Sequence, residues 1–141
     1  EVYSHTATHP WDPWSNLVTW VDGDDPRFGP ADALRELVDS KRLLEDKLGR
    51  PVPYLAWPVG WYNDRLVEMA KQVGYEGLLT AEDGANGSGD SVYRIRRLFV
   101  DGACDLNAFI RLINSHRYEP CAQDAWVTRG HSPTPYQNRP Q

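Results

Sequence analysis

Two histidines, His5 and His9, stand in the segment Ser4-His5-Thr6-Ala7-Thr8-His9-Pro10. Imidazole suits zinc, cobalt, nickel or iron, and an H-x-x-x-H spacing lets two rings reach one ion. The intervening Thr6-Ala7-Thr8 and the following Pro10 predict a turn rather than a helix here. No Glu follows His5, so the H-E-x-x-H protease pattern is absent. Two histidines also leave the shell incomplete, because a catalytic zinc takes three protein ligands and a water. On spacing alone the pair reads more readily as two hydrogen-bonding loop histidines than as a metal site.

Something must position such a pair. Residues 1–3 read as a short strand that delivers both histidines to a loop. Residues 11–30 are rich in Trp, Asp, Gly and Pro, show no sustained period and read as a long loop. A helix is predicted from Pro30 or Ala31 to Leu48, with Leu34, Leu37, Val38, Leu44 and Leu48 on one face and Gly49 just past its end. Residues 53–57 read as a buried strand and residues 58–62 as the turn at its C-terminal end. Asn63 is a suitable N-cap for a helix over 64–73 that Gly74 terminates. Residues 75–80 read as the next strand, 81–91 as a Gly-containing loop and 92–100 as a further strand. Asp105 caps a predicted last helix, 106–115, with Leu106, Phe109, Ile110 and Ile113 facing inward. Residues 117–141 are polar and Pro-rich and read as an irregular tail; residues 1–116 form the domain.

This alternation is α/β, a mainly parallel sheet or barrel. Ligand sites in such folds gather at the C-terminal ends of strands. His5, His9 and the Trp57–Asn63 turn all fall at such ends, which groups residues about fifty positions apart in sequence.

Composition narrows the partners. The 141 residues carry a formal net charge of −5 and no basic stripe, which argues against general nucleic-acid binding. No apolar run approaches the roughly 18 residues needed to span a membrane. The start at Glu1, without an initiator Met or leader, raises the expectation of a piece processed or clipped from a longer protein. Cys104 and Cys121 are the only cysteines; they lack a C-x-x-C spacing, and their pairing is left open. Six Trp, several in predicted loops, point either to a surface that stacks on flat ligands or to half-buried packing.

The segment Ser4–Pro10, set after a short strand, resembles the second motif of the NodB-type polysaccharide deacetylases, carbohydrate esterase family 4. The likeness continues in order. Lys41-Arg42-Leu43-Leu44-Glu45-Asp46-Lys47-Leu48-Gly49 resembles that family's S-K-x-x-L-E-x-x-L-G stretch. Tyr54-Leu55-Ala56-Trp57-Pro58-Val59-Gly60-Trp61-Tyr62-Asn63 resembles its third motif, Y-F-A-Y-P-Y-G-x-Y-N. Gly74-Tyr75 with Leu78-Leu79-Thr80, and Arg97-Leu98-Phe99-Val100, resemble its later strands. The match runs from about Glu1 to Ile113, and the pattern is most similar to the subgroup that deacetylates poly-β-1,6-N-acetylglucosamine.

The resemblance implies a deformed (β/α) barrel, of which this chain supplies the later strands and helices, and hydrolysis of an N-acetyl group on a sugar polymer. In the family one divalent metal, here expected to be zinc with cobalt, nickel or iron as alternatives, is held by two His and one Asp. It polarises the acetamide carbonyl and activates a water, with a second Asp as general base and a His as general acid. Carried over, His5 and His9 become metal ligands. The Val59 N–H becomes the oxyanion donor, at a position where the family usually has Tyr. Trp57, Trp61, Tyr62 and Asn63 become substrate-binding residues, although barrel packing is the better reading for Trp57.

The sequence also departs from the family. The T-F-D-D strand that supplies both aspartates has no counterpart; Asp22-Gly23-Asp24-Asp25 lies after the histidines and is not assigned its role. The aspartates are expected upstream of Glu1. The late L-x-H motif is missing too, and His116 and His131 read as exposed rather than catalytic. Arg97 reads either as an orienter of a missing Asp or as half of a structural ion pair. The expected enzyme acts at the cell surface, in the periplasm or in the medium, and the piece alone is expected to be inactive. The competing expectations are a non-catalytic carbohydrate-binding or structural member of the fold, and an unrelated metal-binding domain.

Overall fold

The structure, a computed structural model, describes residues 1–102 and 104–117. The first regular elements lie where the sequence predicts a loop. A two-residue hairpin, β1 (Trp11–Asp12) and β2 (Ser15–Asn16), leads directly into α1 (Leu17–Asp22). Asn16 starts that helix: its side chain accepts from the Val18 and Thr19 N–H groups, and the Thr19 hydroxyl accepts from the Asn16 N–H. This reciprocal cap satisfies donors that a short helix leaves open. A six-residue helix is too short for periodicity to reveal, which explains the difference.

Helix α2 (Pro30–Leu48) has the predicted bounds, with Pro at its start and Gly49 closing it in the left-handed conformation. Its buried stripe is Ala33, Glu36, Leu37 and Ser40, while Leu34 and Val38 are exposed. The face is therefore rotated by one residue, about 100°, from the Leu34–Leu37–Val38 face read from the sequence.

The centre of the fold is parallel. Strand β3 (Tyr54–Ala56) pairs in parallel with β4 (Gly77–Leu79). Between them lie a 3-10 turn (Pro58–Gly60) and α3 (Asp64–Val73). Parallel bridges extend the sheet on both sides, from Ser4 to Leu55 and from Leu79 to Ile95. The predicted strand at 1–3 does not form, its place in the sheet being taken by a single bridge at the next residue, Ser4, and the one at 92–100 contracts to Ile95. Without a continuous strand over 92–100, Tyr93, Ile95, Arg97 and Phe99 do not form a common strand face; Arg97 donates to the Thr80 carbonyl at 2.5 Å.

Helices α1 and α3 pack with α2 and with each other. The core joins Leu17, Trp20, Leu37, Leu55, Trp57, Leu66 and Leu78. One polar thread crosses it. The Ser4 hydroxyl donates to Ser40 Oγ at 2.9 Å, and the Tyr75 hydroxyl, which lies 3.3 Å from Ser40 Oγ, donates to the Leu37 carbonyl at 3.0 Å. Burial raises the Tyr75 pKa, so the phenol stays protonated and able to donate. The thread anchors the residue immediately before His5 to α2.

Helix α4 (Leu106–Ser115) begins at Asp105, whose side chain accepts from the Ala108 N–H. Its bounds are as predicted, but its faces are not: Ala108 and Leu112 are buried, whereas Leu106, Phe109, Ile110 and Ile113 are exposed. His116 closes α4 and is exposed. Residues 118–141, with Cys121 and His131, lie outside the described residues, and with them the pairing of Cys104 with Cys121 and most of the predicted tail.

Candidate metal centre

Because Ser4, β3, β4 and Ile95 are joined in parallel, their C-terminal ends share one edge of the sheet. His5 follows Ser4 there, and the Trp57–Asn63 turn follows β3. His5 is tied to the last residue of β3, just before that turn: its Nδ1 lies 2.7 Å from the Ala56 carbonyl oxygen. A carbonyl can only accept, so Nδ1 carries a proton, and in the neutral ring Nε2 is the nitrogen with the lone pair. Metal-ligating histidines are held in this way, one ring nitrogen donating to a fixed acceptor while the other faces the ion. The His9 ring lies with its centroid 4.7 Å from that of His5, tilted by 58°. Both side chains are exposed.

The loop that carries them is bent twice. Thr6 and His9 have φ values of 66° and 55°, in the left-handed region that β-branched residues such as Thr rarely enter. The His9 N–H donates to Thr6 Oγ1 at 3.2 Å. The Ala7 and Thr8 N–H groups each donate to Glu36 Oε2 at 2.8 Å, and the Thr8 hydroxyl donates to Glu36 Oε1 at 2.8 Å.

The turn after β3 is strained as well. Val59 has φ 58°, and Gly60 follows at φ 78°. The bonds that close the turn come from the Gly60 N–H to the Trp57 carbonyl (3.0 Å) and the Trp61 N–H to the Pro58 carbonyl (3.1 Å); the Val59 N–H takes no part in either. A Cβ on Gly60 would lie 2.4 Å from the Ala81 Cβ, so only glycine fits against the chain leaving β4.

The structure separates the four residues expected to touch substrate. Trp57 is fully buried in the core and stacks on Tyr62, ring centroids 6.0 Å apart. It presents no face to a sugar, in keeping with the packing alternative. Asn63 is committed to the fold: its side-chain oxygen accepts from the Leu66 N–H, and its amide donates to Asp22 Oδ1, both at 3.0 Å. Trp61 and Tyr62 are half-buried beside the turn. The Tyr62 hydroxyl donates to Glu82; burial, with that carboxylate, pushes its pKa far up, and it stays a neutral donor.

A cleft of about 710 Å3 opens beside His9, within the range of small-molecule sites. Thr8, Trp11, Arg27, Phe28 and Arg35 line it with His9. Trp11 is 65% exposed, and Phe28 stacks on Trp20 at 4.5 Å. Asp25 is buried beneath this wall and held by two hydrogen bonds from the Arg27 side chain, each 3.1 Å, which keep its carboxyl well below the usual range. The acidic run at 22–25 is thus structural: Asp22 binds Asn63, Gly23 closes α1, and Asp25 holds Arg27. Glu36 and this cleft were missed from the sequence. The available signal for Glu36 was an acid set within the stripe 33, 36, 37, 40.

Among the described residues, no group of three or more His, Cys, Asp or Glu stands ready to enclose an ion. The histidine pair by itself offers an ion two donors, fewer than the three protein ligands a catalytic zinc takes. Residues 1–78 match the polysaccharide deacetylase family. The chain belongs to that family. The chain is 29% identical over 86 residues to YxkH of Bacillus subtilis (strain 168), a protein named for the same family. That alignment covers 61% of this chain and 31% of YxkH. Among solved structures it is similar to BC0361, a polysaccharide deacetylase from Bacillus cereus, with 27% identity and a TM-score of 0.59 over 80% of this chain and 32% of that one. The Streptococcus pyogenes deacetylase PplD, solved in complex with acetate, shares the fold at 21% identity, with a TM-score of 0.62 over 77% of this chain and 42% of that one. The chain thus spans less than half the length of each of these relatives. The NodB-type architecture read from the motifs is the one these structures share.

Proposed function

We propose that this chain supplies part of the active site of a metal-dependent hydrolase that removes N-acetyl groups from an N-acetylglucosamine-containing polysaccharide. The observation that carries the reading is the hydrogen bond from His5 Nδ1–H to the Ala56 carbonyl, which leaves Nε2 as the nitrogen for a ligand, with the His9 ring 4.7 Å away. In this reading His5 and His9 hold one divalent metal, zinc in the first instance. When bound, the metal supplies Lewis-acid polarisation of the acetamide carbonyl and an acidified water. The Val59 N–H donates to the carbonyl oxygen as its negative charge develops. Hydrolysis adds water across the amide C–N bond, releasing acetate and leaving the sugar amine.

The base and the remaining ligand are proposed to be aspartates from a preceding segment of the same protein. Trp61 and Tyr62 border the acetyl-bearing sugar, and Trp11 and Phe28 offer apolar faces to the neighbouring units along the cleft. A polymer of this kind places the enzyme in the periplasm, at the cell surface or in the medium.

The test is acetate release from an N-acetylglucosamine polymer by the complete protein, before and after chelation and after zinc is restored. Release that stops on chelation and returns with zinc is expected. Polymer binding without acetate release would favour a non-catalytic carbohydrate-binding member of the fold instead.

A further inference from the structure

The loop between the histidines is fastened from outside itself. Glu36 comes from the second turn of α2, is 8% exposed, and accepts three hydrogen bonds of 2.8 Å from Ala7 N–H, Thr8 N–H and the Thr8 hydroxyl. No ion pair among the described residues includes Glu36. A buried carboxylate needs compensation, and here loop donors rather than a cation provide it. Bonds to an ionised acceptor are the strong class. The two residues they grip lie between Thr6 and His9, the two left-handed residues of the loop. A conformation so disfavoured persists only where its surroundings over-determine it.

We propose that Glu36 is a positioning residue for the metal site: its carboxylate holds the His5–His9 loop in the bent form that keeps both imidazoles within reach of one ion. The proposal rests on the metal reading above. Glu36 touches no ion itself; it acts on His9 through the two peptide groups that precede it. With the clamp removed, Thr6 and His9 relax out of the left-handed region, and the His9 ring departs from His5.

Three variants test this: Glu36→Ala, Glu36→Gln and Leu37→Ala. The last hollows the core from the neighbouring position on α2 and leaves the Glu36 carboxylate in place. Amide hydrogen exchange at Ala7 and Thr8 in the metal-free protein reads the clamp, and zinc affinity by competition with a chromophoric chelator reads its consequence. Glu36→Ala is expected to lose protection at both amides and to weaken zinc about 10- to 100-fold, the range for supporting residues of metal sites. Glu36→Gln is expected to fall between, since its amide oxygen still accepts N–H bonds. Leu37→Ala is expected to lower Tm while leaving both readouts near wild type. Unchanged protection at Ala7 and Thr8 in Glu36→Ala overturns the clamp whatever zinc does. Equal zinc loss in Glu36→Ala and Leu37→Ala at matched Tm reduces Glu36 to a structural role. If the unmodified protein takes up no zinc, the metal reading fails, while the exchange measurement still decides the clamp.

Discussion

The histidine loop and the Trp57–Asn63 turn leave the same edge of the sheet, and both contain non-glycine residues in the left-handed region. They are held by opposite means. The loop is exposed and tied by polar atoms: Glu36 on its peptide groups, Thr6 on the His9 N–H, and the Ala56 carbonyl on His5. The turn is held by shape, with Trp57 buried beneath it, Gly60 against Ala81 and Asn63 fixed as the cap of α3. The difference matches what each segment is proposed to present. Side-chain ligands need a loop whose atoms are aimed by hydrogen bonds, whereas a backbone donor needs a main chain that cannot move.

That contrast is open to direct attack. Gly60→Ala should have the larger effect on stability, because it adds a clash at 2.4 Å to a left-handed backbone. Strain and overpacking together should cost about 3 kcal/mol, read as a lower Tm in thermal unfolding. A variant as stable as wild type would show that the turn is not sterically fixed.

The smaller effect concerns acid. The cleft wall beside the loop depends on Asp25, whose pKa in the folded state is depressed mainly by its hydrogen bond from Arg27. A depressed carboxylate contributes stability above its unfolded value, near 4 for Asp, and that contribution is lost as pH falls through the folded value. The Tm gap between wild type and Asp25→Asn should therefore be widest near neutral pH and narrow progressively below about pH 4. A gap that stays constant down to strong acid would contradict the Asp25–Arg27 account.

The sequence was most legible where structure is local. Helix α3 and helix α4 have the predicted bounds because Asn63 and Asp105 cap them through their own side chains. What a helix faces is not local. Leu37 is buried and Leu34 exposed on α2, and on α4 Leu106, Phe109, Ile110 and Ile113 are exposed despite their spacing, because burial is set by what the rest of the protein brings to each face. Helix α1 escaped notice because its capping partner is Thr19 rather than the usual acid and it ends after six residues. The site followed the same division. His5, His9 and the turn could be grouped from motif order and strand ends. The clamp by Glu36 depends on how α2 is rotated about its axis, and the burial of Trp57 depends on packing among α1, α3 and β3.

The role proposed for His5 and His9 is that of joint metal ligands. Its most direct test strips the protein with a chelator, reloads it with zinc, desalts it, and counts zinc per chain by elemental analysis in wild type, His5→Ala and His9→Ala. Bound zinc is expected in wild type and its loss in each variant. Zinc retained at the wild-type level by both variants would contradict that role.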